Sequence, residues 1–188
     1  VHVSDASNAS RTALMAIGSG DWDDGLLSLF GVPRSILPEI CDSAGQLGMT
    51  DASLFGAPIA ITGMAGDQQA ALIGQSCLEP GQTKATFGTG AFVLTQTGRT
   101  LPKSTNRLLA TVAWQLGGER HYALEGSVFV AGSLIQWLRD DLGLIDASPD
   151  TEPLARSVED NGGVYLVPAL SGLGAPHWQP HARAAIHG

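Results

Sequence analysis

The sequence predicts an α/β chain in which a mixed sheet carries packed helices, and three observations predict it. Two glycine-tipped hairpins occupy the middle, over 83–96 and 109–124. A helix-spaced apolar pattern follows over 127–142, with Val130, Leu134, Trp137, Leu138 and Leu142 near one face. Short unbroken apolar runs, PIAITG at 58–63 and GVYLVP at 163–168, suit buried strands.

In chain order, residues 1–48 read as helix and turn. Asn8 or Ser10 is placed to cap a helix through Ile17, and Ser19 or Asp21 to cap another through Phe30. Asp23 and Asp24 then lie in that helix's first turn, where acids complement its dipole. Gly31-Val32-Pro33 stops it, and Pro33 opens a short helix through Leu37. Residues 49–58 read as loop, 58–63 as strand and 67–75 as helix; Glu79-Pro80-Gly81 is a turn and a domain junction. The hairpins follow, turning at Gly88-Thr89-Gly90 and Gly117-Gly118-Glu119. After the 127–142 helix come a polar link at 146–153, a short helix and the 163–168 strand. The chain opens at Val1 without methionine and stops at Gly188 within a strand-like pattern, so a piece of a longer protein is expected.

Composition narrows the function. The 188 residues are 44% hydrophobic, enough for a sizeable core, and carry a net charge of −8, which argues against nucleic-acid phosphates or an anionic membrane as partner. Small ligands with phosphates remain open, since backbone N–H groups can hold them. No apolar run reaches the roughly 18 residues of a membrane span, so a soluble, cytoplasmic protein is expected. Cys41 and Cys77 have no CxxC partner, which disfavours a disulfide framework or a zinc site.

Asp67, in GMAGDQQAALIG, reads as a helix N-cap and also as a proton acceptor; a carboxylate has lone pairs for both roles, and the helix's positive end favours negative charge there. Gly88-Thr89-Gly90 is an ordinary hairpin turn or a phosphate cradle, where glycines admit the phosphate closely and Thr89 adds a hydroxyl donor. The small residues Gly126, Ala131, Gly132 and Ser133 mean packing on a sheet or close approach of a nucleotide. In HWQPH, His177 and His181 have i, i+4 spacing, yet Pro180 opposes the helix that would make them metal ligands. Trp22-Asp23-Asp24 offers paired carboxylates that also suit a solvated helix start.

Six co-linear segments resemble the glycerol kinases of the FGGY carbohydrate kinase family: DASNASRTALMAI, GDWDDGLLSLFGVPRSILPEI, GMAGDQQAALIGQ, ATFGTGAFVLTQTG, YALEGSVFVAGSLIQWLRD and GVYLVPALSGLGAPHWQPHARAAIHG. The resemblance implies a ribonuclease-H-like (actin/Hsp70-type ATPase) fold, with 1–76 ending the first domain, 77–188 beginning the second, and the active site in the cleft between them. It implies transfer of the ATP γ-phosphoryl group, with Mg2+, to a terminal hydroxyl of glycerol. Asp67 matches the family's catalytic base, Gln68 its neighbour at the glycerol hydroxyls and Phe92 an apolar wall of that pocket. Thr89, between Gly88 and Gly90, matches a phosphate contact, and Gly132 and Gln136 match nucleotide contacts. The Mg2+ arrives with ATP, with Asp67 as the carboxylate in reach; a homodimer or homotetramer is allowed.

Two departures carry expectations. The family's N-terminal phosphate loop, several glycerol-pocket residues and the glycine-rich adenine pocket have no counterpart in these 188 residues, so they are expected to be inactive alone. The stretch MTDASLFGAPIA lacks Lys and Arg, so control by fructose 1,6-bisphosphate is expected to be absent. The alternatives are a xylulose or gluconate kinase of the same family, or a non-catalytic nucleotide-binding module.

Overall fold

A computed structural model describes residues 1–188 and divides them into two compact units. The first comprises 1–84, 94–104 and 109–125, and the second 85–93, 105–108 and 126–188.

The first unit opens with β1 (Val3–Asp5) and α1 (Ala6–Ala9). The expected helix through Ile17 is corrected: Asp5 caps, accepting the N–H groups of Ser7 at 2.9 Å and Asn8 at 3.1 Å, and four residues are helical. The Ser10 and Thr12 hydroxyls then bond back to the carbonyls of Ser7 and Ala9, competing with helix propagation. A small ribbon pairs β2 (Met15–Ala16) with β3 (Asp21–Trp22). For α2 (Asp24–Phe30) the cap is Asp23, which accepts from Leu26 N–H at 2.9 Å, rather than Ser19 or Asp21. Asp21 is occupied elsewhere: the Trp22 N–H and the Arg34 guanidinium bond its carboxylate and hold it below the usual range. Gly31 ends α2 in the left-handed conformation, φ 66°, as the glycine-proline stop predicts.

A 3-10 turn (Arg34–Ile36) leads to β4 (Glu39–Cys41), which pairs in parallel with β1. Then come β5 (Ala44–Met49), α3 (Ala52–Phe55), β6 (Ala60–Gly63) and α4 (Asp67–Gly74). Residues 49–58 are therefore not all loop. Within 58–63 a strand does form, over Ala60–Gly63; it pairs with β5 alone, and its residues are exposed within these 188 residues rather than buried as expected.

A four-stranded sheet follows, with order β7-β8-β10-β9: β7 (Thr83–Phe87), β8 (Ala91–Gly98), β9 (Leu109–Leu116) and β10 (Glu119–Val128). Both expected hairpins are present. Gly117 and Gly118 lie between the paired Leu116 and Glu119 with φ of 59° and 76°, the two positive values a tight primed turn demands. The register slips between His121 and Tyr122, leaving Ala113 as an extra residue in β9. Trp22, Met15, Leu27, Val112 and Tyr122 form the core of this unit with Ala6 and Ala9. The Trp22 indole N–H satisfies itself on the Pro38 carbonyl at 2.9 Å.

In the second unit, α5 (Gly132–Asp140) is shorter than the expected 127–142 helix, because β10 continues through Val128. A 3-10 turn (Ser148–Asp150) runs into α6 (Thr151–Arg156), so helical structure starts inside the predicted link. The final pair, β11 (Tyr165–Val167) and β12 (Ala185–His187), is antiparallel. As with β6, residues 163–168 hold a strand that is not buried: Tyr165 is 66% exposed. Phe129 meets Trp178 edge to face at 6.4 Å, and the Trp178 indole N–H donates to the Arg107 carbonyl at 2.7 Å.

Candidate functional site

In the first unit the candidate chemistry sits at the start of α4. Gly66, not Asp67, is the cap of this helix, and it offers no capping side chain. The Gly66 N–H donates to the buried Ser7 hydroxyl at 2.9 Å, and its carbonyl accepts the Ala70 N–H at 2.8 Å. A side chain at 66 would crowd Gln69: a Cβ there would lie 2.5 Å from Gln69 Oε1, so the buried Gln69 side chain would have to move.

Asp67 is therefore the exposed first residue of α4, released from capping. Its Oδ2 accepts from the Gln68 amide at 3.0 Å, while its other oxygen bonds nothing within the chain. An acidic group in the first turn suits the helix dipole. The amide of Gln68 is in turn held from behind, its Oε1 accepting from the Lys84 ammonium. Lys84 is 1% exposed; burial pushes its ammonium down, while the charges of Glu125 and Asp67 pull it back up. Buried Glu125 also takes the Arg11 guanidinium at 2.8 Å. Behind α1, buried Asp5 accepts the Ser43 hydroxyl at 2.8 Å as well as capping the helix.

Sequence reasoning found Asp67 and Gln68 but missed Ser7, Gln69, Lys84, Arg11 and Glu125. A strand lysine ordinarily points to solvent, so nothing local marked Lys84; the one available signal was its alternation with outward-facing neighbours in TKATF.

The second unit holds the other residues. At the hairpin tip the Gly88 N–H closes on the Gly90 carbonyl at 2.8 Å. The Gly88 carbonyl accepts the Gly132 N–H at 2.9 Å, and the Thr89 carbonyl accepts those of Ala131 and Ser133 at 2.9 and 3.1 Å. The hairpin thus supplies the cap of α5, whose own cap residue, Ala131, has none to offer. This contact requires glycine, because a Cβ on Gly132 would stand 2.5 Å from the Gly88 carbonyl oxygen. Gly90 is equally constrained, at 2.5 Å from the Val128 oxygen.

Beside this junction lies a cavity of about 350 Å³ whose lining brings together Gly88, Thr89, Gly132 and Gln136, with Ile135 and Arg139 added by the structure. The Arg139 guanidinium is bonded to Asp140 at 2.6 Å, which raises its already high pKa and keeps it charged. Phe92 follows the tip on β8, half-buried. No group of three or more His, Cys, Asp or Glu side chains converges as a cation cage, and His177 and His181 lie outside any helix.

Comparison with known proteins divides the chain by sequence, and residues 94–104 and 109–125 of the first compact unit fall with the second family domain. The N-terminal domain of the FGGY family of carbohydrate kinases matches residues 1–74, and the C-terminal domain matches 83–188. The glycerol kinase of Methylobacterium nodulans is 58% identical over 188 residues, and glycerol kinase 1 of Pseudomonas aeruginosa 56% over 187. The match covers all of this chain and 38% of each relative, so the chain spans about 38% of the length of these curated relatives. Among solved structures, Plasmodium falciparum glycerol kinase with ADP superposes with a TM-score of 0.87 at 39% identity, over 99% of this chain and 38% of that one. Gluconate kinase from Lactobacillus acidophilus shares the fold at TM-score 0.84 and 21% identity, over 99% and 38%. These likenesses give the α/β, ribonuclease-H-type fold of the actin and Hsp70 ATPases, and the chain belongs to the FGGY family of carbohydrate kinases.

Proposed function

We propose that the full-length protein transfers the γ-phosphoryl group of ATP to a terminal hydroxyl of glycerol. The observation that carries this reading is the exposed Asp67 carboxylate, presented at the start of α4 and oriented by the Gln68 amide, in a chain 58% identical to a named glycerol kinase.

In this reading residues 1–76 end the first domain, and 77–188 begin the second. The glycerol hydroxyl lies against Asp67, whose unpaired oxygen accepts its proton as the hydroxyl oxygen bonds to the γ-phosphorus. The bond from that phosphorus to the bridging oxygen breaks, and ADP leaves with the electron pair. Gln68 orients both Asp67 and the polyol, and Phe92 supplies an apolar wall. On the second unit Gly88, Thr89 and Gly90 take the phosphates, while Gly132 and Gln136 face the nucleotide, for which the 350 Å³ cavity is the site. Mg2+ needs only one or two carboxylates when phosphates complete its shell, so the donors present fit an ion carried by ATP with Asp67 beside it. Such an ion neutralises charge on the phosphoryl oxygens. The full-length protein would work in the cytoplasm.

The test is ADP release by the full-length protein with a panel of glycerol, xylulose and gluconate. Glycerol should be preferred by kcat/KM. Preference for either sugar would move the protein to another branch of the family, and no turnover of any would leave a nucleotide-binding module.

A further inference from the structure

Lys84 is the largest side chain to be almost wholly enclosed, on a strand whose neighbours Thr83 and Ala85 face solvent. An ammonium has donors and no acceptor, so where it meets an amide it must meet the oxygen. At Gln68 it does so: Lys84 Nζ donates to Oε1, which leaves Nε2 to face Asp67, where it donates to Oδ2 at 3.0 Å. Reversing the amide would set an N–H2 against the ammonium and an oxygen against the carboxylate, two repulsive contacts replacing two attractive ones. The ammonium is itself kept charged by its neighbours, with Glu125 a larger influence than Asp67, and Glu125 is anchored by Arg11 at 2.8 Å.

We propose that Lys84 is a positioning residue for the phosphoryl-transfer site: it fixes the Gln68 amide in the one orientation that presents a donor to Asp67 and to the polyol. Lys84 touches neither substrate nor nucleotide; it acts through Gln68. The inference rests on the reading of Asp67 and Gln68 as the polyol side of a kinase site. Removing the donor with the isosteric Lys84→Met frees the amide to turn, so the acceptor for the substrate proton loses its orientation and the polyol loses a fixed partner.

A double-mutant cycle in the full-length protein tests it. Lys84→Met should raise the KM for glycerol about tenfold, the size of one lost hydrogen bond to a charged partner, with the KM for ATP unchanged. In a Gln68→Met background the same substitution should change glycerol KM less than about twofold, because the group it orients is gone. Equal effects in both backgrounds, whether on glycerol KM or on kcat, would show a purely structural lysine and overturn the proposal. If Lys84→Met does not fold by circular dichroism, the cycle is run with Lys84→Arg, which keeps the charge but moves the donors. A shift of glycerol KM that needs Gln68 supports the proposal, and a shift independent of Gln68 overturns it. Wild-type turnover is measured first. If another polyol is phosphorylated and glycerol is not, the glycerol reading falls, and the cycle is run on that polyol to judge Lys84 separately.

Discussion

The Ser7 hydroxyl accepts the backbone N–H of Gly66 at 2.9 Å, joining the first helix to the residue before Asp67 across 59 positions of sequence. Ser7 is fully buried, and its own N–H is held by Asp5, which also binds Asn8 and Ser43. Asp67 thus starts a helix whose cap residue is tied to a buried polar anchor, so disturbing the anchor reaches the candidate base.

Ser7→Ala should therefore destabilise the chain by roughly 1 kcal/mol, the worth of one hydrogen bond whose donor, the Gly66 N–H, is part-buried. The measurement is the urea midpoint followed by circular dichroism. An unchanged midpoint would mean that water satisfies Gly66 and that the anchor contributes nothing.

Asp67→Asn keeps the size of the side chain and removes its ability to accept the hydroxyl proton. In the full-length protein, turnover should fall by roughly 10²-fold or more, the range of lost general-base catalysis. Asp67 is exposed and caps nothing, so thermal stability should barely move. Near-normal turnover in a folded variant would sink the assignment.

Gly132→Ala places a Cβ 2.5 Å from the Gly88 carbonyl, where backbone rather than a flexible side chain must give way. The hairpin tip and α5 should separate, and the KM for ATP should rise at least about tenfold, as expected when a ligand-facing backbone is displaced by an ångström. The KM for glycerol should change little. The reverse pattern would remove the nucleotide from this cavity.

Lys84 carries a pH signature whose sign follows from burial. Enclosure lowers its folded-state pKa below the ordinary 10.5, so the unfolded chain binds the proton more tightly. Its contribution to stability is thus least favourable below the folded pKa and grows as pH rises towards 10.5. Wild type should gain stability relative to Lys84→Met between neutral pH and pH 10.5, read as the difference in their denaturation midpoints. A constant difference across that range would show that the ammonium is not desolvated.

Much of the local architecture was legible. Gly117-Gly118 announced its hairpin because positive φ at both central positions suits glycine, and Gly31 announced the end of α2 for a related reason. The start of α4 was placed correctly, yet its cap was not. Aspartate outranks glycine as a capping residue, but the helix here starts one residue earlier than an Asp67 cap would allow, at a position crowded by the buried Gln69 side chain. The same holds for α1, where Asp5 displaced both Asn8 and Ser10 as the cap.

Residues 1–48, read as helix and turn, hold the strands β1 to β4 and most of β5. By itself the sequence determined the order of strands and helices from residue 58 onward, both hairpin turns, the pairing of Asp67 with Gln68 along the chain, and enough co-linear motif to name a family. These depend on interactions within a few residues, where backbone sterics and side-chain chemistry act directly. The tertiary structure alone decided that the strands at 60–63 and 165–167 pair with β5 and β12, that Lys84 is buried and Asp67 is not, and that Ser7 holds Gly66. Burial and long-range hydrogen bonding depend on which distant segment covers a face, and no local pattern carries that information.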